Sequence, residues 1–214
     1  MRVIGILTSL SHACEPTLLS QFTTPSAPPS ELTIETGRAR FEGDVYTGAL
    51  VTFRSASPES AWQEVLSHPE LQDEWHPKEL GTEKVERIVA TNFYQRTAIS
   101  VLGFTIRRQL IAQVRWIEAT RTRLRTCWTA GDPAAYDLRD WDNGTPWQRH
   151  GYGSWTITNL PEGGASVAYQ VWVDTNGVPS GLISWGVTRT LPTLLNGFEA
   201  RVAELHARAS VAPQ

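Results

Sequence analysis

The sequence predicts an α+β fold, a curved antiparallel β-sheet wrapped around one long carboxy-terminal α-helix. Two patterns predict it. Between Val178 and Ala209, the residues Ile183, Val187, Leu191, Leu194, Phe198, Val202 and Leu205 recur at steps of three and four, which puts them on one stripe of a helix. From Glu83 to Asp174 the period changes to alternation of apolar and polar residues, the mark of strands covered on one face only. A stripe that long needs a broad apolar surface to lie against, and a single-faced sheet supplies one. At 214 residues the chain holds one well-buried domain.

Taken in order, the chain opens ambiguously. Arg2, the short apolar run Val3 to Leu7 and Ser11-His12-Ala13 have the layout of a secretory signal, although Thr8 and Ser9 dilute it. Cys14 directly follows Ala13, as at a lipoprotein attachment site, but Ser11 stands where that signal carries leucine. An unprocessed tail is the other reading of residues 1–13, so cytoplasmic and exported locations both stay open. Pro25, Pro28 and Pro29 among Ser and Thr make 14–38 a disordered linker. The folded domain is then 39–210.

Two short strands are expected at Phe41–Tyr46 and Ala49–Arg54, turning at Thr47-Gly48. Ser57-Pro58-Glu59 starts a helix, with Ser57 as cap and Pro58 in the first turn; Ala61, Trp62, Val65 and Leu66 form its apolar face. A further turn is expected at Leu71–Trp75. Strands follow near Glu83–Ala90, Asn92–Ser100, Thr105–Ile117, Arg121–Thr129, Gln148–Ile157 and Ser166–Asp174. Parity assigns the faces. Ile106, Arg108, Leu110, Ala112, Val114 and Trp116 point one way, while Arg107, Gln109, Gln113 and Arg115 point to solvent. Leu124, Thr126 and Trp128 share a face, as do Val167, Tyr169, Val171 and Val173; Trp172 points outward. In the last helix Ser180 is the expected cap, and Pro192 predicts a kink or break one turn earlier.

Several function classes find no support. A net charge of −3 exerts no general pull on nucleic acid, and no stretch approaches the roughly 20 apolar residues of a membrane-spanning helix. There is no nucleophile elbow around Ser154 and no phosphate-binding glycine loop. His68 and His76 are too far apart for metal ligands on adjacent turns. Asp140-Trp141-Asp142-Asn143-Gly144 lacks the third spaced ligand and the closing Glu of a calcium loop. No cofactor or metal is expected. Two cysteines are too few for a disulfide framework, and spacing does not say whether they pair.

What stands out is aromatic content and one misplaced charge. Nine tryptophans mean either a thick aromatic core or a cavity walled with rings, and Trp75, Trp128, Trp155 and Trp172 carry that choice. Arg108 sits on an otherwise apolar face. A guanidinium cannot shed its charge, so it is either half of a structural ion pair or a polar anchor in a wet cavity.

The order of elements resembles the helix-grip fold of StAR-related lipid-transfer (START) domains, over roughly Arg40 to Ala209. Ala56-Ser57-Pro58-Glu59-Ser60-Ala61-Trp62 through Glu74-Trp75 looks like that family's first helix and the Trp after it. Ile106-Arg107-Arg108-Gln109-Leu110 looks like its Arg-Asp-Phe-Val strand, with Arg108 at the arginine and Gln109 in place of the aspartate. Gln148-Arg149 and Gly153-Ser154-Trp155-Thr156-Ile157 look like its penultimate strand. Asp174-Thr175-Asn176-Gly177-Val178-Pro179 resembles the family's approach to the gripping helix.

The resemblance implies a tunnel between sheet and helix that holds a lipid or other hydrophobic small molecule, as carrier or sensor. Arg108, Trp75, Tyr94, Leu110 and Trp128 are the expected sheet-side contacts, together with Trp155, Tyr169 and Val171. Ile183, Val187, Leu191 and Leu194 are the expected contacts from the helix. Val114 stands where sterol-binding members carry a second inward arginine, which argues against a charged sterol anchor. The wider superfamily includes polyketide cyclases and aromatases, so an enzyme using Arg108, Tyr94 or Tyr169 as proton donors or oxyanion stabilisers is the alternative. The expected partner is thus a hydrophobic molecule met by a monomer, with transient membrane contact during exchange and no nucleic acid.

Overall fold

A computed structural model describes residues 22, 28–41, 44–68, 82–101, 104–136, 144–148, 150–174 and 178–211. Eight strands form one antiparallel sheet: β1 (Thr33–Phe41), β2 (Asp44–Ser55), β3 (Thr82–Val89), β4 (Asn92–Val101), β5 (Phe104–Ala119), β6 (Arg123–Ala130), β7 (Gly151–Asn159) and β8 (Ala165–Asp174). Their order across the sheet is β1-β2-β8-β7-β6-β5-β4-β3. Only β2–β8 joins strands that are distant in sequence. Helix α1 (Glu59–Leu66) follows β2, and α2 (Ser180–Val211) closes the chain.

The strands from β3 to β8 lie within about three residues of their expected places, because alternation marks them directly. The first hairpin does not. Its turn lies between Phe41 and Asp44, and β2 runs unbroken through Thr47 and Gly48. Gly48 is there for a different reason. A Cβ at that position would sit 2.3 Å from Cδ2 of Trp172, so glycine is what lets the indole lie flat against the strand.

The folded region also begins earlier than residue 39. β1 starts at Thr33 and pairs with Thr52, inside the stretch expected to be linker. Further back, Phe22 stacks on Trp172 with ring centroids 5.0 Å apart. Trp172 does face away from Tyr169 and Val171, as parity predicts, yet it is 1 % exposed. Phe22, Ala39, Tyr46 and Tyr152 pack around it, giving the outer face of the sheet an aromatic cluster of its own. Cys127, also buried, is disulfide-bonded; the chain's other cysteine, Cys14, lies outside the described residues.

The main core lies on the other face. Ala49, Val51, Phe53, Leu124, Ile157 and Val167 of the sheet meet Trp62 and Val65 of α1 and Leu195, Phe198 and Val202 of α2. Helix α1 starts one residue later than expected. Pro58 is its cap residue, with no side-chain cap bond of its own. Asn159 at the end of β7 accepts from the Glu59 amide at 2.7 Å instead, so this cap is supplied by tertiary structure. Helix α2 is one continuous element through Pro192, and the expected break is not found. In the turns before it the Thr188 hydroxyl donates to the Ser184 and Trp185 carbonyls and the Thr190 hydroxyl to that of Gly186. Ser180 is the first helical residue rather than a cap.

Candidate functional site

The apolar face of the sheet and helix α2 do not meet along their whole length. The second half of α2 is docked: Leu195, Phe198 and Val202 are at most 5 % exposed. Its first half stands off the sheet and roofs a cavity of about 290 Å³. Ile183, Val187, Leu191 and Leu194 line it from the helix; Leu110, Val171 and Val173 line it from the sheet. A second space of about 130 Å³ lies beyond, against Leu66, Val85, Phe93 and Phe198. Gln95, Trp128, Tyr169 and Leu194 border both.

Arg108 lines the larger space, half-buried, with Nη1 donating to the Arg107 carbonyl at 2.8 Å. It shares that space with Asp174, whose carboxylate is already engaged: Gln148 Nε2 donates to Oδ1 at 2.6 Å and the His150 amide to Oδ2 at 3.2 Å. Thr47 turns its face to the same space, and its buried Oγ1 has no hydrogen-bond partner among the described residues. The polar groups are few and spread over a mostly apolar wall, which is how small-molecule pockets fix orientation without losing apolar contact.

The tryptophans divide. Trp128 stands between the two spaces. Its neighbour across the ladder is Gly153, where a Cβ would come 2.2 Å from the indole Nε1. Trp128 also hydrogen-bonds the Tyr169 hydroxyl. Burial pushes the Tyr169 phenol up to about 12, against that hydrogen bond, which pulls it down. Tyr169 in turn packs on Trp155 with centroids 4.3 Å apart, and Trp155 on Phe198 and Trp62 at 5.5 and 5.8 Å. Trp155 is therefore core and wall at once: 7 % exposed, it still borders the smaller space.

Tyr94 is the expected contact that the structure removes. It lies on the opposite face of the sheet, 1 % exposed. Its hydroxyl bonds Oε1 of Gln109 at 3.0 Å, and Trp147 meets its ring edge-on at 6.1 Å. Gln109 donates to the Thr145 carbonyl at 2.5 Å. The segment 144–148 thus covers an outer patch that alternation alone reads as solvated. Trp75 lies outside the described residues. Sequence reasoning missed Gln95 and Thr97, which line the larger space from β4; their parity with Phe93 was the available signal. Among the described residues no group of three or more His, Cys, Asp or Glu could hold a metal.

No protein-family model matches the chain, and no curated protein matches it in sequence. Solved structures do. The STAR-related lipid transfer protein from Xanthomonas axonopodis (fragment 25–204) is 16 % identical with a TM-score of 0.56, covering 78 % of this chain and 98 % of that one. Human StAR-related lipid transfer protein 5 is 12 % identical with a TM-score of 0.57, covering 80 % and 88 %. The Zhui aromatase/cyclase from Streptomyces is 17 % identical with a TM-score of 0.52, covering 78 % and 99 %. The architecture is that of the helix-grip fold.

Proposed function

We propose, from a helix-grip fold shared with StAR-related lipid transfer structures, that this protein binds a lipid or other hydrophobic small molecule between its sheet and its last helix, without transforming it. The observation that carries the reading is the unequal seating of α2. One half packs into a dry core, and the other roofs a 290 Å³ cavity lined mainly by apolar side chains, with Arg108 on its wall. Apolar surface withdrawn from water supplies about 25 cal/mol per Å² before ordering costs are subtracted. An apolar guest therefore has a driving force here, and Arg108 gives its polar end a direction.

The cyclase-type alternative needs polar groups converging on a reacting carbon. Of its three candidates, Tyr94 lies on the far face of the sheet, which leaves Arg108 and Tyr169 on the cavity wall. Binding is the better supported reading. Native mass spectrometry of gently purified protein tests it. The expected result is a co-purifying apolar molecule that leaves on mild denaturation. An empty protein that takes up no lipid from a mixed extract, yet converts a polyketide chain, would replace this reading with the enzyme.

A further inference from the structure

We infer that Trp128 is the residue that sets how long a ligand the cavity accepts, and that Gly153 holds it in that role. This inference rests on the binding function proposed above and adds a specificity to it. The ligand it implies is a single-chain amphiphile with one anionic or strongly polar end. A cavity of about 290 Å³ lies at the lower edge of the usual range for small-molecule sites, which favours a single-chain guest.

The indole is placed to act as a wall. Trp128 borders both the 290 Å³ and the 130 Å³ space, whereas Arg108 borders only the larger one. A chain whose polar end lies at Arg108 therefore runs toward the boundary that Trp128 forms with Gln95, Tyr169 and Leu194 and, to go further, has to pass it. The indole lies flat across β7, because positions 151 and 153 are both glycine there. A Cβ on Gly151 would reach 3.3 Å from the ring, which would have to give by a few tenths of an ångström; one on Gly153 would come within 2.2 Å of Nε1 and displace it. From the other side the hydrogen bond to the Tyr169 hydroxyl fixes the ring, and Tyr169 is itself held against Trp155. The wall is thus fixed by backbone on one side and by an aromatic stack on the other.

Two substitutions move it in opposite directions. Trp128→Ala removes the indole and joins the two spaces, so longer chains should fit. Gly153→Ala pushes the ring off β7 into the cavity, so the limit should fall. The measurement is calorimetric titration with saturated fatty acids graded from octanoate to stearate. For the native chain, affinity should climb about fourfold per methylene, the equivalent of burying one CH₂, and then stop climbing at a limiting length. In Trp128→Ala that limit should move to longer acids, with stearate bound at least about tenfold tighter than by the native chain. In Gly153→Ala it should move to shorter ones. Trp128→Leu, which keeps more of the apolar bulk, serves if the alanine variant does not fold, and should give an intermediate limit. Native binding with the same limit in every folded variant would overturn the inference and leave the proposed function standing. No binding of any acid by native or variant protein would overturn the inference, and the proposed function falls with it only if native protein also takes up nothing from a mixed lipid extract.

Discussion

At the scale of single residues, Arg108 and Tyr169 make opposite kinds of statement. Arg108 is half-buried on the cavity wall and donates to the neighbouring Arg107 carbonyl. Arg108→Leu keeps the apolar bulk and deletes the charge. A hydrogen bond to a charged group contributes about 1.5–3 kcal/mol, so fatty-acid binding should weaken tenfold or more while stability changes by less than about 1 kcal/mol. Calorimetry beside urea denaturation reads both. A large loss of stability with unchanged affinity would make Arg108 a structural group. Tyr169 is held neutral by burial, its pKa raised to about 12 from an unfolded value near 10. The stability tied to that neutrality is fully present below about pH 10 and is lost as pH rises toward 12, because the unfolded chain gives up the proton first. Tyrosinate absorbance of the native protein and of Tyr169→Phe should therefore coincide to about pH 10 and separate only near 12. Separation already at pH 10 would mean an exposed phenol.

At the scale of elements, α2 is one helix with two environments. Its apolar stripe is continuous in sequence, yet Ile183 and Val187 face the cavity while Leu195, Phe198 and Val202 are packed solid. Among the described residues nothing lies within 4 Å of where a Cβ on Gly181 would be, and Gly186 and Pro192 weaken the same half. Ligand exchange should open that half and leave the other docked. Amide hydrogen exchange is the check: an added fatty acid should raise protection in Gly181–Thr193 more than in Phe198–Leu205. Uniform protection that ligand does not alter would make α2 a static cover, and access would then run through the loops at the sheet's edge.

At the scale of the whole molecule, the outer face of the sheet is where the fold extends furthest beyond its expected limits. The sequence expectation is that residues up to about Ser30 can be dispensed with. Phe22 stacked over Trp172, and Gly37 close beneath both rings, point the other way. Phe22→Ala should lower stability by about 1–3 kcal/mol, less than for a fully buried Phe because this ring is half-buried. Tryptophan emission should shift to the red as Trp172 gains water. A variant with native emission and native stability would return residue 22 to the linker.

Read from sequence alone, the period of each segment was enough for the fold class, because apolar spacing of 3.6 or 2 is a local property that burial on one face imposes on every element separately. For the same reason parity placed Arg108, Leu110, Trp128, Tyr169 and Val171 on the cavity side. Periodicity carries no information about what lies across from a residue. It could not distinguish the cavity half of α2 from its docked half, since Val187 and Val202 belong to one stripe. It could not find the cover that 144–148 lays over Tyr94 and Gln109, or the ring that makes Gly48 a site of close approach instead of a turn. Those are contacts between segments tens of residues apart, and only the folded chain brings them together.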